Sequence, residues 1–147
     1  MKASTNGRGF FLFHRSPIGA ILVLLQEKRG NCMDKILREI NLETGMPTVD
    51  VAVRRLTFEW HQSKSMGVGV LKVIHGYGSS GTGGKIRVEV RAYLERLKKK
   101  REIKGYITGE EFSIFHDGTR QAFLQCPALR KDSDLERHNN GVTFIVL

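Results

Sequence analysis

A chain of 147 residues with 40% hydrophobic and 27% charged side chains has the size and composition of one folded domain. It is too short for a large multidomain enzyme, or for a nucleotide-binding fold built from two complete mononucleotide halves. Lysine and arginine number 24 against 15 aspartates and glutamates, so the net charge is +9 and the favoured partners are polyanions, nucleic acid foremost.

The first 32 residues differ from the rest. Two apolar runs, Phe10 to Phe13 and Ile18 to Leu25, are separated by His14-Arg15-Ser16-Pro17. Neither reaches the roughly 18–20 apolar residues of a spanning helix, so no membrane partner is expected and the chain is read as cytoplasmic. Gln26-Glu27-Lys28-Arg29 follows the second run, where a secretory leader would carry a small-residue cleavage site. Glu27-Lys28-Arg29-Gly30 would be encoded by purine-rich codons, as in a bacterial ribosome-binding site just before Met33. Residues 1–32 are therefore expected to be a weakly structured leader or a mis-assigned start, and residues 33–147 the domain.

From Ile40 the pattern is regular. Ile40-Asn41-Leu42 suits a short strand, and Gly45-Met46-Pro47-Thr48 a turn into a helix. Val49, Val53, Leu56 and Trp60 form one helical stripe, with Trp60 read as core, and Gly67 is a stop. Val68 to Ile74 is an almost wholly apolar strand, the kind buried on both faces. Residues 76–84 are a glycine-rich loop. Ile86, Val88 and Val90 alternate like a strand, but Ile86, Val90, Leu94 and Leu97 fit a helix whose residues are strong formers. Strands are expected near 103–107 and 141–147. Between them an insert, about 110–140, holds a helix near Thr119 to Leu129 interrupted at Pro127. The predicted fold is a compact two-layer α/β sandwich of β-α-β-α-β-β order. Its four-stranded mixed sheet carries two main helices and an inserted helical segment. The insert is expected to cap one sheet edge.

Gly76-Tyr77-Gly78-Ser79-Ser80-Gly81 matches the dinucleotide pattern G-x-G-x-x-G, between a strand and a helix. The second mononucleotide half is missing, and Glu95, the acidic residue at the right offset, falls inside a helix. A nucleotide-hydrolysing phosphate loop fails as well, because Gly84-Lys85 is followed by Ile86 rather than Ser or Thr. What survives is an anion grip of backbone N–H groups and Lys85 at a helix start, or a tight connection with no ligand. From Lys85 to Lys104 there are nine basic and three acidic residues, a local charge of +6. Arg87 and Arg91, one helical turn apart, suit phosphate positioning, partly offset by Glu95, and Arg54 extends the basic surface. Lys98-Lys99-Lys100-Arg101 suits a helix C-terminus as well as a phosphate backbone. Two cysteines, Cys32 and Cys126, are too few for a disulfide framework, and Cys126 with His138 lacks a companion ligand pair for zinc. Asp132-Ser133-Asp134 lacks calcium-loop spacing.

His75-Gly76-Tyr77-Gly78, after a buried strand and before a basic helix, resembles the signature of the small MutS-related (Smr) domain family. The likeness takes in Leu71 to Gly78, Gly81 to Gly84, Ile86-Arg87, Leu94 and the terminal Asn140 to Leu147. It implies a compact α/β sandwich in a stand-alone bacterial member of a family that binds or nicks DNA and in part cleaves RNA. Two departures stand out. The family's opening aspartate-leucine-histidine-glycine element is here Asn41-Leu42-Glu43-Thr44-Gly45, and the insert replaces a short link.

The resemblance implies an endonuclease cleaving phosphodiester bonds in DNA or RNA. In it His75 handles a proton and Glu43, standing in the altered element, serves as a substitute base or as a ligand to Mg2+ or Mn2+. Gly76, Tyr77, Gly78, Gly81, Gly83, Gly84 and Lys85 would hold the scissile phosphate, with Arg87, Arg91 and Arg54 on neighbouring ones. Tyr77 could stack on a base. The first alternative is a binding module that keeps the loop and has lost turnover. The second is a protein-interaction domain acting through the insert.

Overall fold

The computed structural model describes residues 35–78 and 84–147. The expectations for residues 1–32, and those for Gly81 and Gly83, lie outside the described residues. The elements are β1 (Leu37–Asn41), α1 (Val49–Ser65), β2 (Val70–Ile74), α2 (Lys85–Lys99), β3 (Gly105–Thr108), α3 (Asp117–Gln125), a 3-10 turn (Pro127–Lys131) and β4 (Val142–Val146). They form a compact α/β domain around a four-stranded mixed sheet of order β1-β2-β4-β3. β1 and β2 are parallel, joined by the α1 crossover, and β4 runs antiparallel to both β2 and β3.

α1 follows Pro47 and an extended Thr48, with Asp50 in its first turn and Lys64 in its last, each matched to the helix dipole. It closes in a Schellman motif. Gly67 takes φ +72, its N–H donates to the Lys64 carbonyl at 3.2 Å, and the Val68 N–H to that of Ser63 at 3.0 Å. The stripe differs from the predicted one. Ala52, Leu56, Trp60 and Ser63 are buried, while Val49 and Val53 are only half-buried. Positions 52, 56, 60 and 63 share one face at three- and four-residue spacing, which turns Val53 to the flank. In α2 the predicted stripe holds, with Val90, Leu94 and Leu97 buried and Ile86 half-buried.

Strand alternation divides the core in two. Leu71, Val73 and Ile145 face α1 and α2, meeting Leu56, Trp60, Val90 and Leu94. That layer is the two-layer sandwich the sequence implies. Val70, Ile107, Val142, Phe144 and Val146 face the other way, and the insert covers them with Phe112, Ala122, Phe123, Cys126 and Leu129. The insert therefore lies over the second sheet face, where an edge cap was expected. The reason is that β2 and β4 are apolar at consecutive positions, so both faces need cover. Phe112 stacks on Phe144 with centroids 4.0 Å apart and meets Phe123 edge-on at 6.4 Å. Among the described residues, no helix is long and apolar enough to cross a membrane.

Candidate nucleic-acid interface

Parallel pairing puts the carboxyl ends of β1 and β2 side by side. Asn41 is in register with Ile74, and the Leu42 N–H donates to the Ile74 carbonyl at 2.8 Å. The segments leaving these two strands are consequently neighbours. Asn41 Oδ1 accepts from the Glu43 N–H at 2.8 Å in an Asx turn. That turn sets the exposed Glu43 carboxylate against the backbone of Gly76. A Cβ at Gly76 would lie 1.6 Å from Glu43 Oε1, and Gly76 takes φ +64, so both space and conformation call for glycine.

His75 is buried, with 1% of its surface exposed. Its backbone N–H and that of Gly76 both donate to the Gly141 carbonyl, at 2.9 and 3.0 Å, tying the start of the loop to the start of β4. The ring is occupied too. Nδ1 lies 3.1 Å from the Gly76 carbonyl, and Nε2 lies 2.8 Å from Thr143 Oγ1. A carbonyl only accepts, so Nδ1 carries the proton and Nε2 takes the proton of the threonine hydroxyl. Burial pushes the imidazole pKa down to about 4, and the nearby Arg91 and Arg87 act in the same direction. At neutral pH His75 is uncharged, and both ring nitrogens face hydrogen-bond partners.

Gly78 and Gly84, the described residues on either side of 79–83, lie close together. A Cβ at Gly84 would stand 3.1 Å from the Gly78 nitrogen, and Gly78 takes φ +75. Gly84 opens α2 in an extended conformation, with no side-chain cap and no acidic residue in the first turn. The first N–H groups of the helix and the exposed Lys85 stand together at that end. Arg54 comes from α1, and with Asp50 and Val53 of the same helix and Lys85, Glu89 and Arg96 of α2 it lines a groove of about 740 Å³ between the helices. Tyr77 is 45% exposed and donates its hydroxyl to Asn139 Oδ1 at 2.6 Å.

Arg87 and Arg91 do not pair with Glu95, whose carboxylate accepts from the Tyr106 hydroxyl. Both meet Glu110, at 3.8 and 2.9 Å. The two stems of the insert converge there, since His138 Nδ1 donates to the Glu110 carbonyl at 2.8 Å. Arg120 pairs with Asp117, and Arg130 lies over the Phe123 ring, so neither turns toward the loop.

A second network lies on the insert side of the sheet. Lys72, in the middle of β2, is 4% exposed and reaches Asp134 at 2.6 Å, Asp132 at 3.0 Å and Glu39 at 3.4 Å. Burial alone would lower its pKa, but the two aspartates outweigh this and hold it above the usual lysine value. Asp134 also accepts from Asn139 Nδ2 at 2.8 Å, so a chain of contacts runs from Lys72 to the hydroxyl of Tyr77. The Asp132-Ser133-Asp134 run is thus the counterpart of a buried lysine. Among the described residues no group of three or more His, Cys, Asp or Glu side chains is placed to hold a metal ion.

Sequence reasoning missed Thr143, Glu110, Asn139 and Lys72. Two of them carried a signal. A lone lysine inside a strand read as buried demands a carboxylate, and a lone threonine inside Val142 to Val146 demands a hydrogen-bond partner.

No protein-family model matches the chain, and no curated protein matches it in sequence. Among solved structures, the crystal structure of the Smr domain of Thermus thermophilus MutS2 is similar at 19% identity and a TM-score of 0.46. The match covers 75% of this chain and 96% of that one, and the site above is read from its own geometry alone.

Proposed function

We propose that this domain is a phosphate-gripping module for DNA or RNA. The observation that carries the reading is the opening of α2. A helix start with Lys85 at its first position and no acidic residue in its first turn, followed by Arg87 and Arg91, concentrates positive potential at the N-terminal end of the helix dipole. Arg54 adds a cation across the groove. In this reading one phosphate sits on the loop formed by Gly76, Tyr77, Gly78, Gly81, Gly83 and Gly84, and on Lys85. Arg54, Arg87 and Arg91 take neighbouring phosphates, and the exposed ring of Tyr77 stacks on a base or sugar. His75 holds the loop in shape and stays neutral. The likeness of His75 to Gly84 to the Smr signature supports the same reading.

Cleavage is a second reading, favoured by the exposed Glu43 carboxylate beside Gly76. There Glu43 takes the proton of the attacking oxygen as general base, and His75 serves only to position the loop.

The test uses the full chain with labelled single-stranded and duplex DNA and RNA across a salt series. Binding that weakens linearly in log salt, and that falls about tenfold or more in Lys85→Glu and Arg54→Glu, is expected. No binding at low salt would overturn the reading. Incubation with supercoiled plasmid and structured RNA, with Mg2+, Mn2+ or chelator, separates the second reading. Products formed by the parent and not by Glu43→Gln would establish cleavage.

A further inference from the structure

We infer that Glu110 is an affinity-determining residue of the basic face, a built-in carboxylate that a nucleic-acid phosphate must displace from Arg87 and Arg91. The inference rests on the reading of α2 as a phosphate-binding surface. It begins from an imbalance. One carboxylate serves two guanidinium groups, and Arg91 Nε is buried with no hydrogen-bond acceptor. The arginine forks therefore have donor capacity that Glu110 leaves unfilled, and a phosphodiester oxygen is a suitable acceptor for it.

The placement of Glu110 favours displacement over a permanent lock. Its backbone is held firmly. The Gly109 N–H donates to the Val142 carbonyl at 3.0 Å, and the Glu110 carbonyl accepts from His138. Gly109 packs closely under the Asn139 carbonyl, where a Cβ would stand 1.9 Å from the oxygen. The side chain is 38% exposed, more than either arginine, and can swing into water by rotating its own bonds. The Asn140 side chain lies against the same carboxylate.

Displacement has a cost that every bound ligand meets. A polyanion that reaches both arginines must supply more than the carboxylate did, which selects against small or singly charged anions. Replacing Glu110 removes that competition without adding any contact.

The test measures binding of labelled duplex DNA and structured RNA by full-length parent, Glu110→Gln and Glu111→Gln at several salt concentrations. Glu111 is the control. It is exposed, makes the same change in net charge, and bonds to Thr108 Oγ1 instead of to an arginine. Glu110→Gln is expected to bind about three- to tenfold more tightly, with a steeper salt slope of up to about 0.9 for each phosphate newly engaged. Glu111→Gln should change affinity less than about twofold. Glu110→Asp, one methylene shorter, keeps the charge and withdraws it from the forks, so an intermediate gain is expected even if the glutamine variant is poorly folded. Equal gains in Glu110→Gln and Glu111→Gln would overturn the inference, as would a loss of affinity at unchanged melting temperature. Absence of binding by the parent and by every variant at low salt would instead overturn the underlying reading of α2.

Discussion

The ring of His75 accepts a hydrogen bond from Thr143 Oγ1 at 2.8 Å across the β2–β4 pair, and this contact decides what the histidine can do. Its lone pair is spent on the threonine, and its proton on the Gly76 carbonyl. Charging the ring would leave an imidazolium buried, with Arg91 and Arg87 nearby, so the folded pKa falls to about 4 from 6.5. A histidine depressed on folding binds more protons when unfolded. Its contribution is therefore complete above pH 6.5 and is lost as pH falls toward about 4. Denaturant titrations across this window should show stability falling by up to about 3 kcal/mol from this group. His75→Gln should flatten that pH dependence. Thr143→Val, which leaves Nε2 without a donor, should cost about 1–3 kcal/mol at neutral pH. An unchanged pH dependence in His75→Gln would show that the ring is already solvated.

Lys72 is the cation of a buried cluster, and removing it alone should be worse than removing the cluster. Lys72→Met leaves Asp132 and Asp134 facing each other without a counter-charge, which should cost about 3–5 kcal/mol. Combining it with Asp132→Asn and Asp134→Asn removes the orphaned charges and should recover part of the loss. Equilibrium unfolding of the single, double and triple variants checks this. Equal losses in Lys72→Met and the triple variant would show that the cluster is solvated.

Two glycines of the site should respond differently to a methyl group. At Gly109 the added carbon meets the Asn139 carbonyl oxygen at 1.9 Å, a backbone atom held between the insert and β4. At Gly76 it meets the Glu43 carboxylate, which can move aside, and the remaining cost is a left-handed φ of +64. Gly76→Ala should therefore cost about 1–2 kcal/mol, mostly backbone strain. Gly109→Ala should cost more and alter the stem of the insert. Melting temperatures of the two variants order them directly.

The insert is core, so its aromatic anchor should behave as a core residue. Phe112 is fully buried between Phe144 and Phe123. Phe112→Ala should cost about 3–5 kcal/mol while unfolding stays a single transition. A detachable lid would give a small loss, or a separate early transition in hydrogen exchange over residues 110–140. Either result would show that the second core is not cooperative with the first.

Local pattern was enough for much of this molecule. The 3.6-residue spacing of Ile86, Val90, Leu94 and Leu97 identifies α2 against the competing alternation of Ile86, Val88 and Val90, because only the helix buries a continuous stripe. The apolar run ending at Ile74 announces a central strand, and Gly67 announces the end of α1. The position of the glycine loop between a buried strand and a basic helix is likewise a property of adjacent residues. Each of these is set by interactions within a few positions of chain.

What the tertiary structure decided involves partners far apart in sequence. His75 is one letter in a motif until Thr143, 68 residues away, is placed against its ring. Lys72 needs Asp132, 60 residues on, before its burial makes sense. Arg87 and Arg91 look offset only in part, by Glu95, until the stem of the insert sets Glu110 beside both of them. Desolvation and Coulomb energies depend on distance and burial, neither of which a linear spacing encodes. By itself, the sequence determined which elements form and where the charge accumulates. Only the packing of β4 and the insert onto β2 and α2 decided which of those polar groups are spent within the fold and which stay exposed at its surface.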